Sequence, residues 1–268
     1  MKHDKMRFVL ILSLIFSVMQ SCEKEKINED AQIAYGRKLF NDTKFSGSGQ
    51  LSCGTCHPQG DMDNEQWHLD LIHDSLGGVA VSYSTPTLFG VAETAPYLWK
   101  GQGGSDLDTL TKTVITGIMG GTATDEEIKA IGAYMRSLDV PANPFRNDDG
   151  SLTTEQARGK IVFENQGKCN ICHSGETLSG KFSIQIKAAR PAFDVPSLRW
   201  VFATAPYWHD GSAGSLRAVI NHYADTITTA QMTTWKWNGA GQVTPKPIFD
   251  IELTEQEKND LIEYLKTL

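Results

Sequence analysis

Cys53, Cys56 and His57 lie in the stretch SCGTCHPQG, and Cys169, Cys172 and His173 lie in KCNICHSG. Paired thiols two residues apart admit three chemistries: a disulfide framework, a share of a zinc site, or covalent attachment of a c-type haem. The histidine that follows each pair separates them. Two thiols at this spacing match the two vinyl groups on one edge of a haem, and the next side chain then lies beneath the ring, where its imidazole can bind iron. Neither a disulfide nor a zinc knuckle needs a histidine in that register. The motif occurs twice, so the sequence predicts two covalently attached haem c groups with His57 and His173 as proximal ligands.

Such sites must be placed by helices, and the chain repeats the same set twice. AYGRKLFND (34–42) matches ARGKIVFEN (157–165), each leading into its haem motif. TPTLFGVAETAPYLWKG (85–101) matches VPSLRWVFATAPYWHDG (195–211), and TDEEIKAIGAYMRSLDVP (124–141) matches TEQEKNDLIEYLKTL (254–268). Apolar spacing predicts a helix over 31–40. Thr124 with Glu127, and Thr254 with Glu257, form capping-box patterns that open helices over 125–138 and 255–267. Strand signals are few, and PANPFRNDDG (141–150) reads as a linker. The expected fold is all-α: two tandem cytochrome c-like domains over 33–142 and 151–268, joined by a linker at 143–150.

The chain has 268 residues, 40% of them hydrophobic, enough for two ordinary cores, and a formal charge of −7. No basic stripe is present, which argues against a nucleic-acid partner. Residues 1–21 read as an export signal: Lys2, Lys5 and Arg7 precede the apolar run FVLILSLIFSVM, which is too short for a comfortable bilayer span. A small residue before Cys22, then EKEKINED, has the form of a lipoprotein processing site, with residues 22–32 as a tether. The expectation is an exported protein, lipid-anchored through Cys22 at the periplasm, outer membrane or cell surface. Ordinary signal cleavage is the alternative.

With these motifs in this order, the chain resembles the bacterial di-haem cytochrome c peroxidase and MauG superfamily. The resemblance rests on GRKLF…CGTCH, TPTL…APYLWKG, IKAIGAYMRSLDVPANPF, RGKIVFENQGKCNICH, VPSLRWVFATAPYWHDGSAGSL and LTEQEKNDLIEYLKTL. It implies an oxidoreductase in which one haem reduces hydrogen peroxide while the other accepts electrons from a small donor protein, a cytochrome or cupredoxin. Trp99 matches a tryptophan that sits between the haems. For the sixth ligand of the second haem the resemblance offers Tyr223 or Met232; methionine raises the reduction potential and tyrosine lowers it. In GIMGG (117–121), Ile118 stands where peroxidases carry a catalytic glutamate. It cannot move a proton, and Met119 beside it could ligate the first iron. Asp125, Glu126 or Glu127 could replace the glutamate or simply favour a helix N-terminus. His73, or less closely His68, matches a displaceable distal histidine on a mobile loop. His209 resembles a histidine near the second haem, as a propionate partner or an acid–base group. The resemblance also brings in calcium between the halves, with backbone oxygens at Thr204 and Pro206. Ser84 replaces the usual asparagine there and is a poorer oxygen donor, so calcium is left open, as is a homodimer. Two other functions stay in view: MauG-like oxidation of a protein or small molecule, and a di-haem electron carrier with no catalysis.

Overall fold

A computed structural model describes residues 28–58, 66–67, 83–180, 183–185, 192–226, 234–237, 240–243 and 251–268. Residues 1–27, with the stretch expected to be an export signal and Cys22, lie outside the described residues, as do His68, His73 and Met232. No helix of the described residues is long and apolar enough to cross a membrane.

The helices are α1 (28–40), α2 (Cys53–Cys56), α3 (Leu107–Thr113), α4 (Asp125–Arg136), α5 (Thr154–Glu164), α6 (Leu216–Asn221) and α7 (Glu255–Leu265). Helix α1 starts inside the stretch expected to be a tether. Glu29 and Asp30 fall in its first turn, where acidic side chains suit the positive end of the helix dipole. Both capping boxes form. The Thr124 amide donates to Glu127 Oε2 at 2.8 Å and the Glu127 amide to Thr124 Oγ1 at 3.2 Å. Thr254 and Glu257 repeat this at 2.8 and 3.3 Å.

In each half the first helix crosses the closing helix at a glycine. A Cβ on Gly36 would lie 1.8 Å from the Ala130 carbonyl oxygen, and one on Gly159 would lie 1.9 Å from that of Asp260. Only glycine allows so close an approach. Beside each crossing an aromatic pair meets edge to face, Phe40 with Tyr134 at 5.2 Å and Phe163 with Tyr264 at 5.4 Å. Buried hydrophobic residues form two clusters accordingly. One centres on Leu39, Phe40, Phe45, Ile115 and Ile131; the other centres on Val162, Phe163, Ile220, Leu261 and Leu265. Each fully covered side chain of this size contributes roughly 1.5–3 kcal/mol.

The all-α expectation needs a correction: the chain is mostly helical but carries short antiparallel strands. β1 (Gln66–Trp67) pairs with β2 (Tyr83–Ser84), and β3 (Ser183–Gln185), β4 (Phe193–Asp194), β5 (Thr234–Trp237) and β6 (Ala240–Val243) form a sheet in the order β4-β3-β5-β6. These strands are too short for alternation to show. One signal was present, however: Asn238–Gly239, a preferred hairpin pair, separates Trp237 from its partner Ala240.

Candidate functional site

The two cysteine motifs are built alike. Ser52 precedes α2, and its amide donates to Thr55 Oγ1 at 3.0 Å. The His57 amide then donates to the Cys53 carbonyl at 2.9 Å, and the His173 amide to the Cys169 carbonyl at 2.8 Å. This tight turn brings each histidine back alongside its first cysteine. Cys53, Cys56, Cys169 and Cys172 form no disulfide among the described residues, which speaks against the disulfide reading. No three His, Cys, Asp or Glu side chains gather into a metal cluster among the described residues, so the two pairs do not converge on zinc.

The residues fit haem. Burial pushes the Cys53 and Cys172 thiols up to about 11 and the Cys169 thiol to about 12, which suppresses the thiolate and its ligand and nucleophile chemistry. His173 Nδ1 stands 3.1 Å from the Leu178 carbonyl oxygen. A carbonyl only accepts, so Nδ1 carries the proton and Nε2 is the nitrogen left for iron. Burial also holds the His173 ring below its usual range, against the pull of the Leu178 and Pro196 carbonyls that accept from it, which keeps the imidazole neutral as a ligand must be. Cys53 and Met119 both pack against the first cluster, and Cys169 against the second.

Met119 caps a π-helical turn, Val114–Ile118, that continues α3; a second such turn, His222–Thr226, continues α6 and carries Tyr223. Such turns are rare and concentrate at functional sites. Tyr223 is half-buried, and its phenol is pushed up by burial first and then by the nearby Cys172 and Cys169 thiols. Tyr223 thus lies in the neighbourhood of the second motif. Glu127 is committed to its capping box and to Lys44, 2.6 Å away, and Asp125 faces Lys112 at 3.3 Å.

The structure adds a junction between the halves. The Ser84 amide donates to the His209 carbonyl at 2.7 Å, and the Asp194 amide donates to the Trp99 carbonyl at 2.8 Å. In the repeat, Ser84 corresponds to Asp194 and Trp99 to His209, so the two bonds are reciprocal across a local twofold. Further equivalent residues meet there: Tyr83 contacts Phe193 edge to face at 6.5 Å, and the Trp200 ring fills the space a side chain on Gly90 would need. Arg199 stacks over Trp200 and pairs with Glu93 across the junction. The symmetry breaks at side chains. The Trp99 indole Nε1 donates to the Ser84 carbonyl at 2.8 Å. The His209 ring instead stacks on Phe193, with centroids 3.9 Å apart. Ser84 and Pro206 both border Gly211. Asp194, which no motif singles out, is half-buried. Its Oδ1 finds no hydrogen-bond partner among the described residues, and burial pushes its carboxyl up to about 7 against the pull of the Val195 amide.

Comparison with known proteins agrees with this geometry. The family model described as di-haem cytochrome c peroxidase matches residues 30–130. Methylamine utilization protein MauG of Methylorubrum extorquens is 27% identical, over 88% of this chain and 78% of that protein. Hydrazine synthase subunit gamma of Kuenenia stuttgartiensis is 26% identical over 88% of this chain and 77% of that protein. A solved structure of that organism's hydrazine synthase superposes with a TM-score of 0.65 at 25% identity, covering 89% of this chain and 87% of the other. Cytochrome c peroxidase Ccp of Escherichia coli is 25% identical over 73% of this chain and 54% of its own length. The chain is thus similar to di-haem cytochrome c peroxidases over residues 30–130, and to MauG proteins over most of its length.

Proposed function

We propose that the protein is an exported di-haem c-type oxidoreductase that reduces hydrogen peroxide with electrons from a small donor protein. The observation that supports this most is the place of Trp99. It lies at the junction of the two halves, its indole bonded to Ser84 of its own half and its carbonyl to Asp194 of the other. A rigidly held aromatic side chain spanning the junction suits electron passage from one half to the other. Haem iron, when bound through Cys53, Cys56 and His57 and through Cys169, Cys172 and His173, supplies the one-electron redox chemistry. The chain's own contribution is to orient the imidazoles, to enclose the second motif, and to hold the halves in register through the reciprocal bonds. Each turnover consumes one peroxide, two electrons from two donor molecules and two protons, and yields two waters. His73 is the residue assigned to gating the first site, and His209 to the second site's surroundings. Calcium between Ser84, Thr204 and Pro206 is a minor part of this reading, because no carboxylate stands among them. Lipidation of Cys22 would keep the enzyme at the membrane surface.

A second reading is favoured by Tyr223. A half-buried phenol near the second motif, together with Ile118 in place of a proton-transferring glutamate, suits MauG-like oxidation of a protein or small molecule. The test is the purified holoprotein in fully oxidised and half-reduced states. A high-spin iron in the EPR spectrum with peroxide-dependent oxidation of a donor cytochrome supports the peroxidase. Two low-spin irons in both states, with no donor oxidation, would refute it and leave an electron carrier.

A further inference from the structure

We propose that Asp225 and Lys258 are a positioning pair for Tyr223, fastening the π-helical turn that carries it to helix α7 beside the second haem motif. The inference rests on the reading of Tyr223 as a group at that haem. Lys258 Nζ lies 3.0 Å from both carboxylate oxygens of Asp225 and 3.2 Å from Glu255 Oε1. Asp225 sits two residues from Tyr223 within the turn His222–Thr226. The lysine is 5% exposed, so its ammonium is covered by these carboxylates and not extended into water.

Three observations separate this pair from ordinary surface charge. First, Lys258 follows the cap Thr254 by four residues and so stands at the start of α7, where the helix dipole disfavours a cation. Glu255, three residues back on the same helix, supplies one partner; the two-oxygen contact comes from Asp225, outside the helix. Second, the first half builds the same frame without the pair. Ile128 is the fourth residue after the cap Thr124 and is buried, and the matching turn Val114–Ile118 contains no acidic residue. The fold does not require the ion pair; the half that carries Tyr223 has it. Third, a π-helical turn is wider than an α-turn and is held less well by its own ladder. A bidentate contact to a neighbouring helix removes that freedom at the residues flanking the phenol. Asp225 and Lys258 act through Tyr223 and touch no substrate.

The test uses the full-length holoprotein with both haems attached. Tyr223→Phe sets the reference change in the second haem's optical and EPR spectrum and in its reduction potential. Lys258→Met is expected to reproduce at least half of that change, Asp225→Asn to move it in the same direction, and Lys258→Arg to restore the wild-type signal. Asp225→Asn is nearly isosteric and serves if Lys258→Met does not fold. Wild-type spectra and potentials in both pair variants, alongside a shifted Tyr223→Phe, would overturn the positioning role alone. An unshifted Tyr223→Phe would overturn the reading of Tyr223 and the pair's role with it.

Discussion

Asp194 offers a test of whether the junction between the halves is as enclosed as its geometry implies. Its carboxyl is raised from 3.8 to about 7 by burial, so the folded chain holds a proton that the unfolded chain releases. The folded-state value lies above the unfolded one, and the sign follows: between about pH 4 and pH 7 the folded state binds more protons, and stability falls as pH rises. Below pH 4 both states are protonated and above pH 7 both are ionised, so the penalty is absent at one end and constant at the other. Three pH units at about 1.4 kcal/mol each would give about 4 kcal/mol for a fully enclosed group. Asp194 keeps part of its surface exposed, and solvent screening brings this to about 2 kcal/mol. An asparagine side chain at this position would have the same shape and no charge to desolvate. The variant Asp194→Asn should therefore match wild type near pH 4 and exceed it by about 2 kcal/mol at pH 7.5, measured by guanidinium unfolding of the holoprotein with far-UV circular dichroism. A gap between the two proteins that does not change over that range would refute the reasoning.

Three other outcomes are expected. Gly159→Ala places a Cβ 1.9 Å from the Asp260 carbonyl oxygen, so α5 must move off α7, costing about 3 kcal/mol; an unchanged unfolding midpoint would contradict the crossing. Trp99→Phe removes the donor to the Ser84 carbonyl and should slow electron transfer between the haems at least tenfold in stopped-flow absorbance, and an unchanged rate would remove Trp99 from the path. Cys53→Ala combined with Cys56→Ala should lower the covalent haem count from two to one, read as the loss of one haem mass and half the pyridine haemochrome band.

Much of this architecture was legible because its chemistry is local. Thioether attachment to a haem would fix the spacing of Cys53, Cys56 and His57, so such a motif is readable in any surroundings. Capping boxes announce α4 and α7 through two residues each, and the repeat carried the helix order. Helix α4 ends at Arg136 and α7 at Leu265, each two residues short of the apolar pattern, because the closing turns fray into tighter bonds such as Thr267 to the Tyr264 carbonyl. The strands were not legible, since two to four residues cannot display a period of two. Asp194 was invisible for a different reason. Nothing in FDVPS marks the aspartate, and its raised carboxyl comes from a surface closed by residues distant in sequence. Tyr223 could be found only by counting from the HDG motif with the family in mind. The ion pair that holds its turn joins residues 33 apart.

The reciprocal bonds at the junction raise a question of direction. Haems held at the two CxxCH motifs in equivalent frames, each with a glycine crossing, a capped closing helix and a π-helical turn, would have equal potentials if their side chains also matched. Electrons would then have no preferred way to move between them. The frame itself cannot supply the difference, because it repeats. The difference must lie where the repeat fails: Trp99 against His209, Ser84 against Asp194, Ile128 against Lys258, and an apolar turn at Val114–Ile118 against one carrying Tyr223 and Asp225. The members of each pair differ in charge, hydrogen-bonding capacity or ring, and axial ligation and nearby charge are the levers that set a haem potential. Restoring the repeat at one such position should therefore narrow the gap between the two potentials, whereas a conservative change within the shared frame, such as Ile131→Val in the first core, should leave that gap as it is.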